Sequence, residues 1–362
     1  MQEKKLHILI TAPSLNRGKN ISGISSVVQT IIKNNEKYSY YHYLLGKPDN
    51  KNTLIQILLL LKRLLFFPFS LWKNHIDLVH QNFPFDPKGI LREFIINQWC
   101  RVFRIPVVLH IHGGIFLMNK TSNKLYLFLV KEIFKNSKAV IVLSNKEKES
   151  LLRNYQYPNA FILANCIDVP LFVGVKKEKQ FPVPTFLFMG RIHESKGLND
   201  IFEAFKLLKA DNLDWGFILC GDGPLRKSIV PQFESILKDR FKYLGVVSGS
   251  DKLNAIRSAD YFLLPSWFEG LPLSLLETMA AGLVPVVTNV GSVNYLVKDG
   301  ENGIFVEQKN PQDLYQKMKK LILNPDLYKI LSMNAKNTIA ERCDIKDYIF
   351  QLNFIYEIAT TH

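Results

Sequence analysis

Short, nearly continuous apolar runs alternate with longer amphipathic stretches along most of the chain, and this alternation constrains the fold most strongly. The clearest runs are LHILIT (6–11), DLVHQ (77–81), PVVLHIH (106–112), AVIVLS (139–144), TFLFMG (185–190), WGFILCG (215–221), YFLLP (261–265) and VPVVT (284–288). Strands that are apolar on both sides belong to parallel sheets covered by helices on both faces. The pattern therefore predicts a doubly wound α/β architecture.

The length of 362 residues predicts two domains rather than one. The best boundary is the charged, proline-containing segment VGVKKEKQFPVPT (173–185), which separates two series of strands and helices. We predict an N-terminal domain over residues 1–174 and a C-terminal domain over 175–345. Apolar residues at helical spacing in 346–362 predict a closing helix that packs back toward the N-terminal domain.

Cysteine usage and charge narrow the class of protein. Four scattered cysteines without a CxxC pair argue against a disulfide framework or a structural zinc site. The N-terminus has no signal-peptide pattern, so a cytoplasmic location is expected. Residues 1–175 hold 23 Lys and Arg against 10 Asp and Glu, which is most of the net charge of +14. An anionic partner of this half is one interpretation, and a basic solvated surface is the other.

The segment LIQILLLLKRLLFFPFSLW (54–72) is nearly all apolar. Lys62 and Arg63 at its centre argue against a membrane-spanning helix. Gln56, Arg63 and Ser70 fall within about 40° of one another on a helix and form a narrow polar stripe. The favoured interpretation is a core helix, because βα order requires a helix before DLVHQ. A helix that docks on a membrane surface is the alternative.

The segment EGLPLSLLE (269–277) begins and ends on a carboxylate. Pro272 predicts that a helix begins there, so Glu269 lies in the preceding loop and Glu277 more than one turn inside the helix. The free donors expected at this helix N-terminus, where an anion is favoured, are the amides of Gly270, Leu271 and Leu273. A phosphate flanked by two hydroxyl-binding acids suits a nucleotide sugar. A surface loop with two solvated acids is the alternative.

Two further strand–turn–helix junctions follow the predicted boundary. FLFMGRIHESKG (186–197) places Arg191 and Lys196 after a strand, at the sheet edge where ligands of open α/β sheets bind. A guanidinium and an ammonium at this edge suit a diphosphate. ILCGDGPLR (218–226) is a weak dinucleotide fingerprint, because Arg226 occupies the position of the third glycine.

GRIHESKG, CGDGP (220–224), YLGVVS (243–248) and EGLPLSLLE followed by AAGLVPVV (280–287) resemble the retaining GT-B glycosyltransferases of family GT4. The resemblance covers most of residues 185–320. It implies two facing Rossmann-like domains with a cleft between them, in which the second domain holds most of the donor and the first holds the acceptor.

The resemblance also implies roles for single residues. Arg191 and Lys196, after the turn at Gly190, would bind the donor diphosphate. Glu269 would contact the transferred sugar and Glu277 the ribose. The backbone near Val246 and Val247 would contact the base. Ser292 and Tyr295 depart from the glycine and the acid that the family often has there, so no donor contact is carried over to that loop.

The first half matches the family less closely. SGISSVV (22–28) resembles the family's glycine-containing loop over the diphosphate, and only Gly23 is carried over. PVVLHIHGG resembles the strand that ends on the histidine facing the sugar, which here is His112. His110 lies on the same strand face two residues earlier, so strand periodicity leaves both residues as candidates.

These expectations combine into a metal-independent hexosyltransferase that acts with retention, with Glu269, His112, Arg191 and Lys196 as the catalytic set. The donor would be a UDP-sugar, and the acceptor a glycan or polyprenyl-diphosphate-linked saccharide of cell-surface polysaccharide synthesis. No cofactor and no nucleic acid are expected, and the basic half would contact an anionic membrane on its cytoplasmic face. A non-catalytic nucleotide-sugar binding protein is the first alternative. A Rossmann oxidoreductase is disfavoured, because SLNRGKNISG (14–23) lacks the GxGxxG spacing.

Overall fold

The computed structural model of the chain describes residues 5–16, 22–46, 53–174 and 181–361. Its contacts define two compact units, Met1–Asn165 with Ile345–His362, and Cys166–Asp344. The two segments at the ends of the second unit pair with each other, because Ile167 N–H donates to Cys343 O at 3.2 Å. The boundary between the two units therefore lies after Asn165, ahead of the predicted boundary after residue 174. Part of the predicted linker, 175–180, lies outside the described residues.

The first unit is built on a six-stranded parallel sheet in the order β2-β1-β3-β4-β5-β6. Its strands are β1 (His7–Ala12), β2 (Ser39–Leu44), β3 (Leu78–Phe83), β4 (Val107–Ile111), β5 (Ala139–Val142) and β6 (Ala160–Ile162). Its helices are α1 (Gly23–Asn34), α2 (Thr53–Lys73), α3 (Pro87–Val102), α4 (Ile115–Met118), α5 (Lys124–Asn136) and α6 (Asn145–Tyr155). Side chains of Asp86, Asn123 and Ser144 cap α3, α5 and α6, which fixes where these helices begin.

The second unit repeats the plan with the sheet order β12-β11-β10-β7-β8-β9. Its strands are β7 (Thr185–Met189), β8 (Gly216–Cys220), β9 (Phe241–Gly245), β10 (Tyr261–Leu264), β11 (Val284–Thr288) and β12 (Ile304–Val306). Its helices are α7 (Leu198–Ala210), α8 (Arg226–Leu237), α9 (Gly249–Arg257), α10 (Leu273–Ala280), α11 (Pro311–Ile322) and α12 (Pro325–Arg342). Short 3₁₀ turns occur at Val169–Leu171, Glu194–Lys196, Lys238–Arg240 and Val293–Tyr295.

The last helix, α13 (Ile345–Thr360), belongs to the first unit. It packs on α1 and on strands β3, β4 and β5, and its Tyr356 is fully buried. The predicted doubly wound parallel α/β class is confirmed, and each of the eight predicted strands is present within a residue or two of its predicted bounds.

Four strands are not predicted from the sequence, and all four are edge strands of the two sheets: β2, β6, β9 and β12. An edge strand has a neighbour on one side only, and its side chains remain partly exposed. β2 (SYYHYL) has no fully buried residue along its length. Such a strand needs no continuous apolar run, so it lacks the signal that identified the central strands.

The prediction of a core helix over 54–72 is wrong for most of the helix surface. α2 buries Leu64, Phe67 and Leu71 against β-strand and α3 residues. Its exposed large apolar side chains are Leu54, Ile55, Ile57, Leu58, Leu61, Leu65, Phe66, Phe69 and Trp72. The physical reason is that a helix on the face of a sheet buries only one stripe. By length and composition alone, Leu54–Lys73 would also suffice to cross a membrane, the one such helix in the described ranges.

Candidate functional site

The carboxyl ends of the central strands of the second sheet carry the polar residues singled out in the sequence. Gly190 and Arg191 follow β7, and the CGDGP turn follows β8. Both glycines of that turn are needed for packing: a Cβ at Gly221 would lie 1.8 Å from Gly190 O, and one at Gly223 would lie 2.2 Å from Ile192 O. The glycines of the CGDGP motif therefore allow two loops to pass in contact.

Lys196 and Glu269 come from loops 73 residues apart and form an ion pair of 2.6 Å between Nζ and Oε1. The two loops are held together by their backbones, since Trp267 N–H donates to Ser195 O at 2.8 Å. Gly197 allows this approach, because its φ is +72° and a Cβ there would lie 2.2 Å from Pro265 O. The pair is largely buried, with side-chain exposures of 22 % and 9 %. The cation assigned to the diphosphate and the acid assigned to the sugar are thus in direct contact.

Helix α10 begins at Leu273 with Pro272 as its N-cap, one residue later than predicted. Among the described residues, the amides of Gly270 and Leu273 donate to no group, as expected at a helix N-terminus. Leu271 is 3 % exposed and Leu275 is fully buried, so the leucines attach the helix to the sheet. The segment therefore combines a buried apolar side with free amide donors near Glu269.

Glu277 pairs with Lys252 of α9, a residue that the sequence analysis missed. Both side chains are mostly buried, at 12 % and 19 % exposure, and the Lys252 ammonium also lies 5.8 Å from the ring centroid of Phe172. A lysine in the first turn of an amphipathic helix has no sequence signal that marks it as a partner of an acid 25 residues later. Only the folded chain brings α9 beside α10.

Arg191 is exposed, and its guanidinium makes no hydrogen bond or ion pair in the described part of the chain. Val246 and Val247 follow β9 at the same sheet edge and line a groove of about 260 Å³ between β8, β9 and α9. Neither the two acids nor Arg191 and Lys196 line that groove. Of the three cations Arg191, Lys196 and Lys252, two are therefore already paired with carboxylates.

The loop after β11 supports the Glu269 loop through its backbone. Gly291 has φ +55°, and a Cβ there would lie 2.0 Å from Glu269 O. Ser292 N–H donates to Gly270 O at 3.0 Å, and the Ser292 residue is fully buried. The departure from the family pattern at Ser292 therefore lies inside the fold, where this serine holds the turn that carries Glu269.

In the first unit, His112 is the first residue after β4. Its Nε2 lies 2.5 Å from Asn82 Oδ1, and Asn82 Nδ2 donates to Thr11 O at 2.7 Å. Because the Asn82 amide donates to β1, its oxygen is the acceptor, and the network assigns the proton of His112 to Nε2. The Nδ1 lone pair of His112 is then an acceptor. Gly114, whose Cβ would lie 2.3 Å from Phe85 O, lets the chain turn here.

His110 and His112 lie on the same side of β4, as strand periodicity predicted, with stacked rings 4.0 Å apart. His110 is completely buried, whereas His112 is partly exposed, so only His112 is accessible to a ligand. His110 Nδ1 lies 3.2 Å from His80 Nε2, and His80 Nδ1 lies 2.6 Å from the Tyr356 hydroxyl. The candidate residue thus rests on a buried chain of rings that ends on α13.

Burial keeps the three histidines neutral. It lowers the pKa of His80 to about 3 and the pKa of His110 well below its usual value, with His112 adding a smaller repulsive effect on each. Burial also lowers the pKa of His112. Burial raises the pKa of Tyr356 well above its usual value, so this hydroxyl stays protonated. A neutral His112 can accept a hydrogen bond at Nδ1 but carries no charge.

Gly23 is the first residue of α1, and a Cβ there would meet open space. Packing within the described residues therefore gives no reason for a glycine at this position. Residues 17–21 of the preceding loop lie outside the described residues. Among the residues described, no group of three His, Cys, Asp or Glu side chains is arranged to hold a metal ion.

The amino-acid sequence is similar to those of known glycosyltransferases. The family model described as glycosyl transferases group 1 matches residues 175–338, and the one described as glycosyltransferase family 4 matches residues 35–170. An uncharacterized glycosyltransferase of Methanocaldococcus jannaschii is 31 % identical over 72 % of this chain and 70 % of its own. A UDP-Gal:α-D-GlcNAc-diphosphoundecaprenol α-1,3-galactosyltransferase of Escherichia coli is 27 % identical over 78 % of this chain and 76 % of its own.

Solved structures resemble the whole chain in fold. A sucrose-phosphate synthase from Thermosynechococcus elongatus has a TM-score of 0.78 at 16 % identity and covers 98 % of both chains. Anabaena HepE in complex with UDP and glucose has a TM-score of 0.75 at 16 % identity, covering 97 % of this chain and 99 % of its own. At this identity the similarity establishes a common two-domain architecture, the GT-B fold.

Proposed function

Because the chain belongs to the family of glycosyl transferases group 1, of GT4 type, we propose that it transfers a sugar from a UDP-sugar with retention of anomeric configuration. The acceptor that we propose is a lipid-linked saccharide. The observation that carries the proposal is the cluster at the carboxyl edge of the second sheet. There the unpaired Arg191 guanidinium, the Lys196–Glu269 pair and the free amides at the start of α10 lie close together along connected segments.

The cluster has the chemistry that a nucleoside diphosphate leaving group needs. Arg191 and Lys196 would stabilise the negative charge that develops on the diphosphate, and the amides of Gly270 and Leu273 would add dipoles of the same sign. Because cations of the protein supply this charge, we propose that no metal is required. Lys196 must turn from Glu269 toward the phosphate, which would leave the Glu269 carboxylate free to accept hydrogen bonds from sugar hydroxyls.

In the proposed reaction the acceptor oxygen forms the new bond to the anomeric carbon as the bond to the diphosphate oxygen breaks. The acceptor attacks from the face that the diphosphate leaves, and a phosphate oxygen takes the acceptor's proton. Glu277 would bind the ribose, and Val246 and Val247 the base. His112 would accept a hydrogen bond from a sugar hydroxyl at Nδ1, with Asn82 fixing its orientation.

The acceptor proposal is supported by the names of relatives. Besides the Escherichia coli galactosyltransferase, an N,N′-diacetylbacillosaminyl-diphospho-undecaprenol α-1,3-N-acetylgalactosaminyltransferase of Campylobacter jejuni is 25 % identical over 68 % of this chain and 70 % of its own. We extend this to a cytoplasmic protein that acts in cell-surface polysaccharide synthesis. Its first unit, with the basic excess, would contact the anionic face of a membrane.

The division of labour in the cluster can be tested with two substitutions. Lys196→Ala should weaken binding of UDP, because it removes a phosphate-binding cation. Glu269→Gln should preserve UDP binding and lower transfer from the UDP-sugar by about 10² to 10³. Lys206→Ala, which removes half of a surface pair of 51 % and 49 % exposure, is the matched control. UDP affinity is measured by calorimetry, and transfer by release of UDP from a panel of UDP-sugars with a lipid-linked acceptor.

Equal loss of UDP binding in the two variants would contradict the assigned roles. If the protein binds a UDP-sugar but releases no UDP with any acceptor, the first alternative applies, a non-catalytic nucleotide-sugar binding protein. No binding of any nucleotide sugar would refute both.

A further inference from the structure

Helix α2 turns its most apolar side outward. The nine large apolar side chains listed above are 47–71 % exposed, a third of the 27 such side chains found among the described residues. At about 100° per residue, Leu54, Leu58, Leu61, Leu65 and Trp72 fall within about 60° of one another. Contiguous exposed apolar surface of this kind marks an interaction site on a protein.

The opposite side of α2 fixes the helix to the first unit. Leu64, Phe67 and Leu71 belong to the core cluster under the sheet. The polar stripe also faces the protein, since Tyr43 donates its hydroxyl proton to Arg63 O at 2.5 Å and Arg63 Nη1 donates to Gly46 O at 3.3 Å. A helix held along its length by these contacts cannot leave the unit to span a bilayer. The exposed side of α2 can therefore contact a bilayer only at the bilayer surface.

Positive charge accompanies this apolar face. α2 contains no acidic residue, and Lys62 and Lys73 are exposed on it. α2 packs on α3, and α3 on α5, so the three helices form one layer. Their only acids in sequence, Glu93 and Glu132, are already paired with Arg92 at 2.5 Å and Arg101 at 3.6 Å. The layer is therefore apolar along α2 and carries an excess of positive charge.

From this arrangement we infer that the exposed face of α2 is a membrane-docking surface that lies in the interface of a bilayer rich in anionic lipids. Apolar side chains would enter the acyl boundary, and Lys62 and Lys73 would reach the head groups. Phe66, Phe69 and Trp72 suit the head-group level, where aromatic rings concentrate. A second copy of the chain is a poorer occupant, because it would bring another basic layer against the first.

The docking surface extends toward the end of the sheet that carries His112. α2, α3 and α5 each follow a strand of the parallel sheet, so all three begin at its carboxyl edge. Leu91 near the start of α3, and Leu125 and Phe128 near the start of α5, are 54–60 % exposed there. Where the proposed function holds, this placement brings the acceptor-binding edge to the membrane in which a lipid-linked acceptor is embedded. The docking itself rests on α2 alone.

The test compares two sets of four exposed residues changed to glutamine in the full chain. The α2 set is Leu58→Gln, Leu65→Gln, Phe69→Gln and Trp72→Gln. The control set is Leu323→Gln, Ile330→Gln, Met333→Gln and Phe350→Gln, which are 55–77 % exposed on α12, on α13 and directly after α11. Binding is measured by flotation with vesicles of phosphatidylcholine and phosphatidylglycerol, 70:30 (about one anionic lipid in three), at low and high salt. UDP affinity and the urea midpoint are measured for each protein.

We expect the unaltered protein and the control set to float with anionic vesicles, and the α2 set to lose at least about tenfold in partition constant. High salt should weaken binding without abolishing it, because the apolar contribution is not screened. Brominated lipids should quench Trp72, which a helix outside the bilayer would not permit. Retained flotation of a folded α2 set would overturn the inference, as would no flotation of the unaltered protein. Dimers that the α2 set disrupts, without flotation, would assign the face to a second copy.

A failure of the docking proposal can be distinguished from a failure of the proposed function. UDP binding belongs to the second unit and requires no vesicles. Loss of flotation with intact UDP affinity would therefore concern the docking surface alone, and flotation without nucleotide-sugar binding would refute only the enzyme proposal.

Discussion

Acidification should destabilise the first unit through its buried histidines. His80 and His110 are completely buried, and burial holds the pKa of each below the usual value of about 6.5. The unfolded chain binds protons at these sites while the folded chain does not. Stability is therefore fully present above pH 6.5 and is lost as the pH falls toward the lowered folded-state pKa values.

The magnitude follows from the unfolded state. At pH 5.5, one unit below the usual pKa, protonation of an unfolded histidine favours unfolding by about 1.4 kcal/mol, so His80 and His110 contribute about 2.8 kcal/mol between pH 8 and 5.5, and the lowered pKa of His112 acts in the same direction. His80→Gln should remove about 1.4 kcal/mol of the loss, because glutamine can still bond to Tyr356 but does not titrate. His75→Gln, which changes an exposed histidine, is the control.

The assay is urea unfolding at pH 8 and pH 5.5. Trp72 and Trp99 report on the first unit once the two tryptophans of the second unit are replaced by Trp215→Phe and Trp267→Phe. A loss below about 1 kcal/mol over this range would refute the reasoning, since it would mean that the buried rings take up protons in the folded state. The same conclusion would follow if His80→Gln left the pH dependence unchanged.

Three further predictions concern the nucleotide-sugar site. Lys252→Met leaves the mostly buried Glu277 without its cation and should cost about 1 kcal/mol of stability, measured by chemical unfolding. The double variant Lys252→Met/Glu277→Gln should recover this stability but not the UDP affinity, measured by calorimetry. Gly291→Ala should lower both stability and transfer, because the added Cβ would lie 2.0 Å from Glu269 O. Gly300→Ala is its control: the added Cβ would meet no atom within 4 Å, so at φ +73° this change should cost only the backbone strain of about 1 kcal/mol. Gly23→Leu should leave the unfolding midpoint unchanged and raise KM for the donor, and an unchanged KM would remove this glycine from the site.

The sequence alone determined the central strands and the parallel class, because buried strands of such sheets must be apolar on both sides. It also determined where α10 begins, to within one residue, since Pro272 restricts the start of a helix. Those signals are local. They depend on the chemistry of a few consecutive residues and require no knowledge of neighbours.

Tertiary structure decided which residues pair and which surfaces are covered. Sequence spacing did not predict that Glu269 meets Lys196, that Glu277 meets Lys252, or that His110 is sealed while His112 is accessible. These are contacts between strand ends and helices that the sheet order brings together. The same holds for α2: its composition allowed a core helix, but one sheet face could bury only the stripe of Leu64, Phe67 and Leu71. The remaining apolar surface is exposed because no element of the described residues packs over it.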